Sequence, residues 1–173
     1  MQLGLSESAR ATSAEESRFR INYPNSTPRK SRIIALDDAS RQSLKSLAAG
    51  RPGSAHFLRF IESTGVTTAL KMITVDAILE DMSGQRVRLS DEISDADVVV
   101  MVTSAGYSGD GAEVIGNACF VRNKMTTGLI LSSIDASTLE LAATLAAMRP
   151  FAAMLVISSG EEYVSEMLNA LRV

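Results

Sequence analysis

Serine, threonine and glycine gather at four places where an apolar run gives way to polar residues. These are Asp37-Asp38-Ala39-Ser40, Thr103-Ser104-Ala105-Gly106, Ser132-Ser133 and Ser158-Ser159-Gly160. Hydroxyls and backbone amides hold a phosphate or a carboxylate, and glycine lets such a ligand approach the main chain closely. The longest of the four continues through Tyr107-Ser108-Gly109-Asp110-Gly111. The candidate ligand-binding residues are therefore Ser40, Ser104, Gly106, Ser108, Gly109, Gly111, Ser132, Ser133 and Ser158. No catalytic residue, metal ligand or cofactor is assigned.

Sharper chemistries fail on spacing. Gly109-x-Gly111 is followed by Val114 where a dinucleotide fingerprint needs its third glycine, and no Gly-Lys-Ser/Thr occurs for a P-loop. A Ser-His-Asp hydrolase would need His56, the only histidine, which falls inside a strand-like run and reads as a half-buried residue satisfied by a neighbour. Ser104 and Ser108 lie outside any G-x-S-x-G elbow. Cys119 falls on an apolar helical face, as a core thiol does. Asp37 and Asp38 have the chemistry for a metal or a ribose, but paired acids beside a helix start commonly serve as caps.

The elements that must position these residues alternate regularly. Ile33 to Leu36 reads as a short strand, followed by a helix capped by Asp38 or Ser40 that buries Leu44, Leu47 and Ala48 and stops at Gly50 and Pro52. Ala55 to Ile61 is a second strand. Ala69 to Leu79 fits a helix or strands, while Ile78 to Asp81 and Gln85 to Leu89 around Met82-Ser83-Gly84 read as a hairpin, with a helical turn over Glu92 to Asp95. Val98 to Met101 is uninterrupted by polar residues, as expected of a strand buried on both faces.

Asp110 and Glu113 have capping-box spacing before a helix with Val114, Ala118, Cys119 and Val121 inside. Thr126 to Leu131 is the next strand. Ser137 and Glu140 repeat the box ahead of Leu141, Leu145 and Met148, and Pro150 ends that helix. Ala152 to Ile157 is a strand; Ser159 and Glu162 open a last helix burying Tyr163, Met167, Leu168 and Leu171. Successive strand-then-helix units imply parallel strands with right-handed crossovers. The expected fold is α/β, a Rossmann-like three-layer sandwich with a mainly parallel sheet and a β-hairpin insertion. In such sheets ligands bind beyond the carboxyl ends of the strands, where the four Ser/Gly segments fall.

At 173 residues the chain is long enough to bury one core, and its formal net charge of -3 argues against nucleic acid as a partner. One Cys excludes an internal disulfide and fits a cytoplasmic location. No apolar run approaches the roughly 20 residues of a membrane helix. Residues 1–31 carry five basic side chains against three acids, are rich in Ser, Ala and Thr, and read as a mobile N-terminal tail. Residues 32–173 form the single α/β domain.

The segment from Tyr107-Ser108-Gly109-Asp110-Gly111-Ala112-Glu113-Val114-Ile115, with Asp97-Val98-Val99-Val100 before it and Thr127-Gly128-Leu129-Ile130-Leu131 after it, resembles the phosphosugar-binding SIS domain. Ser108 and Gly109 match that family's Ser-Gly, and Gly111 stands where it has Ser or Thr. The resemblance implies an α/β sandwich, commonly dimeric, whose loop grips a sugar phosphate. Ala105 to Gly111 is also similar, over fewer positions, to the glycine loop of tubulin/FtsZ-type GTPases.

Three functions follow. The first is capture of a phosphorylated or other anionic metabolite at residues 104–111, without chemistry, in a homodimer. The second is a sugar-phosphate isomerase-type enzyme using Glu113, Glu161 or Glu162 as base. The third is a regulatory scaffold that binds a partner through its tail. The absence of a recognisable acid/base pair favours the first.

Overall fold

The computed structural model describes residues 29–49, 55–64, 76–107, 109–132, 136–158 and 161–170. Among them the apolar runs become seven strands of one sheet: β1 (Ser31–Ala35), β2 (Ala55–Thr64), β3 (Asp76–Asp81), β4 (Arg86–Arg88), β5 (Val98–Ser104), β6 (Met125–Leu131) and β7 (Met154–Ser158). The helices are α1 (Asp38–Ala48), α2 (Leu89–Ser94), α3 (Asp110–Val121), α4 (Thr138–Met148) and α5 (Glu161–Ala170), with a 3-10 turn at Arg149–Phe151.

The strand order is β4-β3-β2-β1-β5-β6-β7. Strands β2, β1, β5, β6 and β7 are parallel; β3 and β4 form an antiparallel hairpin at one edge. Period-two alternation divides the core between two faces. Ile34, Leu58, Val99 and Met101 pack with Leu89 and Ile93 of α2, Ala112, Ile115 and Cys119 of α3, and Met148 of α4. Ile33, Ala35, Phe57, Val100, Val102 and Leu129 pack with Leu44 of α1 and with Val164 and Leu168 of α5. This is the three-layer α/β sandwich expected from the sequence. Ile33 and Ile34, each wholly buried on opposite faces, contribute about 2 kcal/mol apiece to the fold.

Several local expectations are corrected. The cap of α1 is Asp37, not Asp38 or Ser40: Asp37 is extended at φ -139°, its carboxylate accepts from the Ser40 amide, and the Ser40 hydroxyl reciprocates. Asp38 is already helical and pairs with Arg59 at 2.8 Å. Helix α3 is capped by Gly109 rather than Asp110, which is already its first helical residue. Leu89 leaves the hairpin to begin α2, because the Asp76 carboxylate accepts from the Ser90 amide and hydroxyl and draws the chain into a helical turn. Val121 is exposed, since the end of α3 overhangs the amino edge of the sheet beside exposed Phe120 and Met125. Leu141 and Leu145 are half-buried, leaving Met148 and Thr144 as the inner face of α4.

The Ser137/Glu140 box closes α4 as expected. The chain is held from Lys30 onward: its amide donates to Asp97 at 2.9 Å and its carbonyl accepts from the Asp97 amide at 2.8 Å. The expected tail up to residue 28, the readings at 65–75, Ser159-Gly160 and Leu171, and the Tyr163 side chain lie outside the described residues.

Candidate functional site

The chain reverses its direction of travel across the sheet at the centre. From β1 it crosses by α1 to β2 on one side; from β5, the other neighbour of β1, it crosses by α3 to β6 on the opposite side. Helices α1 and α3 lie on opposite sheet faces. Their starts therefore diverge beyond the carboxyl ends of β1 and β5, which is where an open α/β sheet leaves a crevice.

Asp37 sits at that divergence. Its Oδ1 accepts from the Ser40 amide at 2.8 Å and from the Ser104 hydroxyl at 3.0 Å. Its Oδ2 accepts from the Ser104 amide at 2.8 Å and from the wholly buried Thr103 hydroxyl at 2.9 Å. One carboxylate thus caps α1 and fastens the end of β5 to the end of β1. Two expected site residues, Ser40 and Ser104, are brought together on it. Ser40 is fully buried, and its hydroxyl serves the cap by donating to the Asp37 carbonyl at 3.0 Å.

The loop after β5 is held largely by its own amides. Ala105 donates to the Leu131 carbonyl at 3.0 Å, Tyr107 to the Ser104 carbonyl at 3.3 Å, and Gly106 to the Thr144 hydroxyl at 2.9 Å. The Gly111 amide donates to the Tyr107 phenol at 2.8 Å. Gly106 and Gly109 have φ of 95° and 93°, a region costly for residues with a Cβ. A Cβ on Gly109 would lie 2.7 Å from that of Ala147, so glycine there also sets how closely α3 approaches α4. Helices α1 and α4 begin with side-chain capping boxes, whereas α3 begins on Gly109 without a side-chain cap.

At the ends of β6 and β7 the Ser132 amide donates to the Ser158 carbonyl at 2.8 Å, and Ser158 is buried. The Ala105 to Leu131 bond ties this pair to the β5 loop, so Ser40, Ser104, Gly106, Ser132 and Ser158 follow one carboxyl edge. Ser108 and Ser133 lie outside the described residues. The exposed carboxylates along this edge include Asp38 and Glu140; the Ser137 hydroxyl and amide hold Glu140 below its ordinary value. No Lys or Arg occurs in 36–40, 104–111 or 132–137, and the cation that reaches this edge is Arg59, through its pair with Asp38.

Sequence reasoning missed Asp37, Thr103, Tyr107 and Thr144 as a connected set. Thr144 carried a signal, as the lone polar residue on the inner face of an otherwise apolar Leu141 to Met148. The residues set aside earlier lie elsewhere. His56 Nδ1 is 3.0 Å from Glu92, which also pairs with buried Arg32, near the start of β1 and away from the crevice. Cys119 is buried in α3, and burial pushes its thiol up to about 12. Among the described residues no cluster of three metal-ligating side chains occurs, and no helix is long and apolar enough to cross a membrane. No protein-family model and no curated protein matches the sequence.

Proposed function

We propose that the crevice beyond β1 and β5 captures a small anionic metabolite, phosphorylated or carboxylated, in a cytoplasmic setting and without chemistry of its own. The observation that carries this reading is the divergence of α1 and α3 at the two central strands, where an open α/β sheet leaves a crevice. Asp37 is a structural tie here and not a base, because both oxygens of this carboxylate at the crevice are engaged by donors from the chain itself. A base for proton abstraction needs a free lone pair within reach of the substrate. The likeness of the loop to phosphosugar-binding SIS domains makes sugar phosphates the first compounds to test.

The test is thermal shift against inorganic phosphate, sugar phosphates, nucleotides and acyl-CoA species. A ligand present at about 100 times its Kd contributes roughly 2.7 kcal/mol, read as a rise of about 5–10 °C in a chain of this size. Ser108→Ala is the informative variant, whereas Gly109→Val would drive a Cβ into Ala147 and unfold the loop regardless of ligand. A shift confined to phosphorylated compounds and reduced by Ser108→Ala supports the reading. No shift with any compound, or one indifferent to Ser108→Ala, refutes it.

A further inference from the structure

We propose that the open edge of β7 is the docking site of this chain's own residues 18–23, which add to it as an eighth, antiparallel strand. Among the described residues β7 is the last strand on its side of the sheet. Its amides alternate in direction: that of Ala153 donates to the Thr126 carbonyl in β6, so those of Met154 and Val156 turn to the outer edge. Met154 and Ile157 are exposed, one on each sheet face, and the strand has neither charge nor proline to blunt pairing. The opposite edge is guarded, since β4 is three residues long and exposes Arg86 and Arg88.

The route of the chain selects this occupant. Lys30 is fixed at the amino edge of the sheet, bonded to Asp97 through both its amide and its carbonyl. The Arg29 guanidinium donates to the Met125 sulfur, 3.9 Å away at the start of β6, which places the approach to β1 on the side of the sheet that ends in β7. A strand added outside β7 stands four strand spacings from β1, about 19 Å. Residues 24–29 span about 20 Å when extended, so the six of them suffice. Traced back from Lys30 the chain climbs beside β7; read forward it descends, antiparallel to that strand. The tether holds residues 18–23 at roughly millimolar effective concentration, which a second copy or a foreign strand in dilute solution does not match.

Pattern and charge agree with that placement. Phe19, Ile21 and Tyr23 alternate with Arg18, Arg20 and Asn22, and Pro24 ends the run. The register that sets Phe19 beside Ile157 and Ile21 beside Leu155 puts these apolar side chains on the face of α3 and α4, where Leu155 joins the core. Arg18 and Arg20 then fall on the face of α5, whose sequence Glu-Glu-Tyr-Val-Ser-Glu-Met-Leu-Asn-Ala has three acids and no base. Glu166 is exposed there. A basic strand is thereby favoured over a neutral or an acidic one. This inference is independent of the ligand proposed above.

The test uses the full chain at about 10 µM, well below the effective concentration of the tether. Phe19→Cys with Ile157→Cys should form a disulfide within one chain, because facing residues of an antiparallel pair have Cβ atoms about 4.5–5.5 Å apart. The control is Phe19→Cys with Val121→Cys, exposed at the amino edge, where an undocked segment would reach it as readily. It should cross-link at least about tenfold more slowly, and buried Cys119 does not compete. Hydrogen exchange supplies a second reading. Phe19→Asp with Ile21→Asp should speed exchange of the Met154 and Val156 amides at least about tenfold, leave those of Leu155 and Ile157 unchanged, and keep the wild-type circular dichroism. Equal cross-linking of the two cysteine pairs, a 19–157 link that joins only separate chains, or outer amides indifferent to the aspartates overturns the proposal, β7 being then open or covered by another occupant.

Discussion

Replacing Asp37 with Ala should loosen the join between the two central strands. Asp37 accepts four hydrogen bonds, one from the helix it caps and three from Thr103 and Ser104 at the end of β5. Loss of the cap alone costs about 1 kcal/mol. The bonds from Thr103 and Ser104 are charge-assisted, a class worth about 1.5–3 kcal/mol each, and the variant leaves the buried Thr103 hydroxyl only the Ser104 carbonyl at 3.4 Å. These effects overlap because the donors share one carboxylate, so the expected loss is about 4 kcal/mol rather than their sum.

Urea denaturation should therefore show a lower midpoint at unchanged slope, and Tm should fall by about 8–16 °C. Asp37→Asn should cost about half as much, since its amide nitrogen faces donors on one side while its oxygen still accepts on the other. A double-mutant cycle with Ser104→Ala should show coupling near 1 kcal/mol. A loss below about 1 kcal/mol in Asp37→Ala, or no coupling to Ser104, would refute the assignment of Asp37 as the tie between β1 and β5.

Three further outcomes are expected. Thr127 has a buried hydroxyl with no partner, so Thr127→Val should be neutral or stabilise by about 1 kcal/mol, seen as a Tm at or above wild type. Burial raises the Asp76 carboxyl, but the Ser90 hydroxyl, the amides of Ala77 and Ser90, and Arg88 outweigh it and leave it below its ordinary value. Its stabilisation is therefore complete above the unfolded carboxylate pKa near 4 and lost as pH falls through the lower folded value; Asp76→Asn should flatten the acid limb of a stability-versus-pH curve. The Cys119 thiol, raised by burial to about 12, favours the folded state fully below the unfolded thiol value near 8.5 and loses that contribution as pH climbs toward 12. Its alkylation should track global unfolding, and rapid modification of native protein at neutral pH would contradict the burial.

The sequence by itself determined the features that depend on neighbours a few residues apart. The uninterrupted Val98 to Met101 run marked a strand buried on both faces, Met82-Ser83-Gly84 marked the turn between β3 and β4, and Ser137 with Glu140 marked the start of α4. Each is a local pattern, because strand period, turn chemistry and capping act within about four residues. Only the tertiary structure decided which strand stands beside β1. That placement puts Ser104 against Asp37 across 67 positions, makes Asp37 rather than Asp38 the cap, and creates the divergence where a ligand can enter. It likewise gave His56 its partner on α2 and left Val121 in solvent despite a helical spacing that placed it inside. Periodicity says which side of an element is apolar. Whether another element covers that side depends on long-range packing, and exposed Val121 shows the two coming apart.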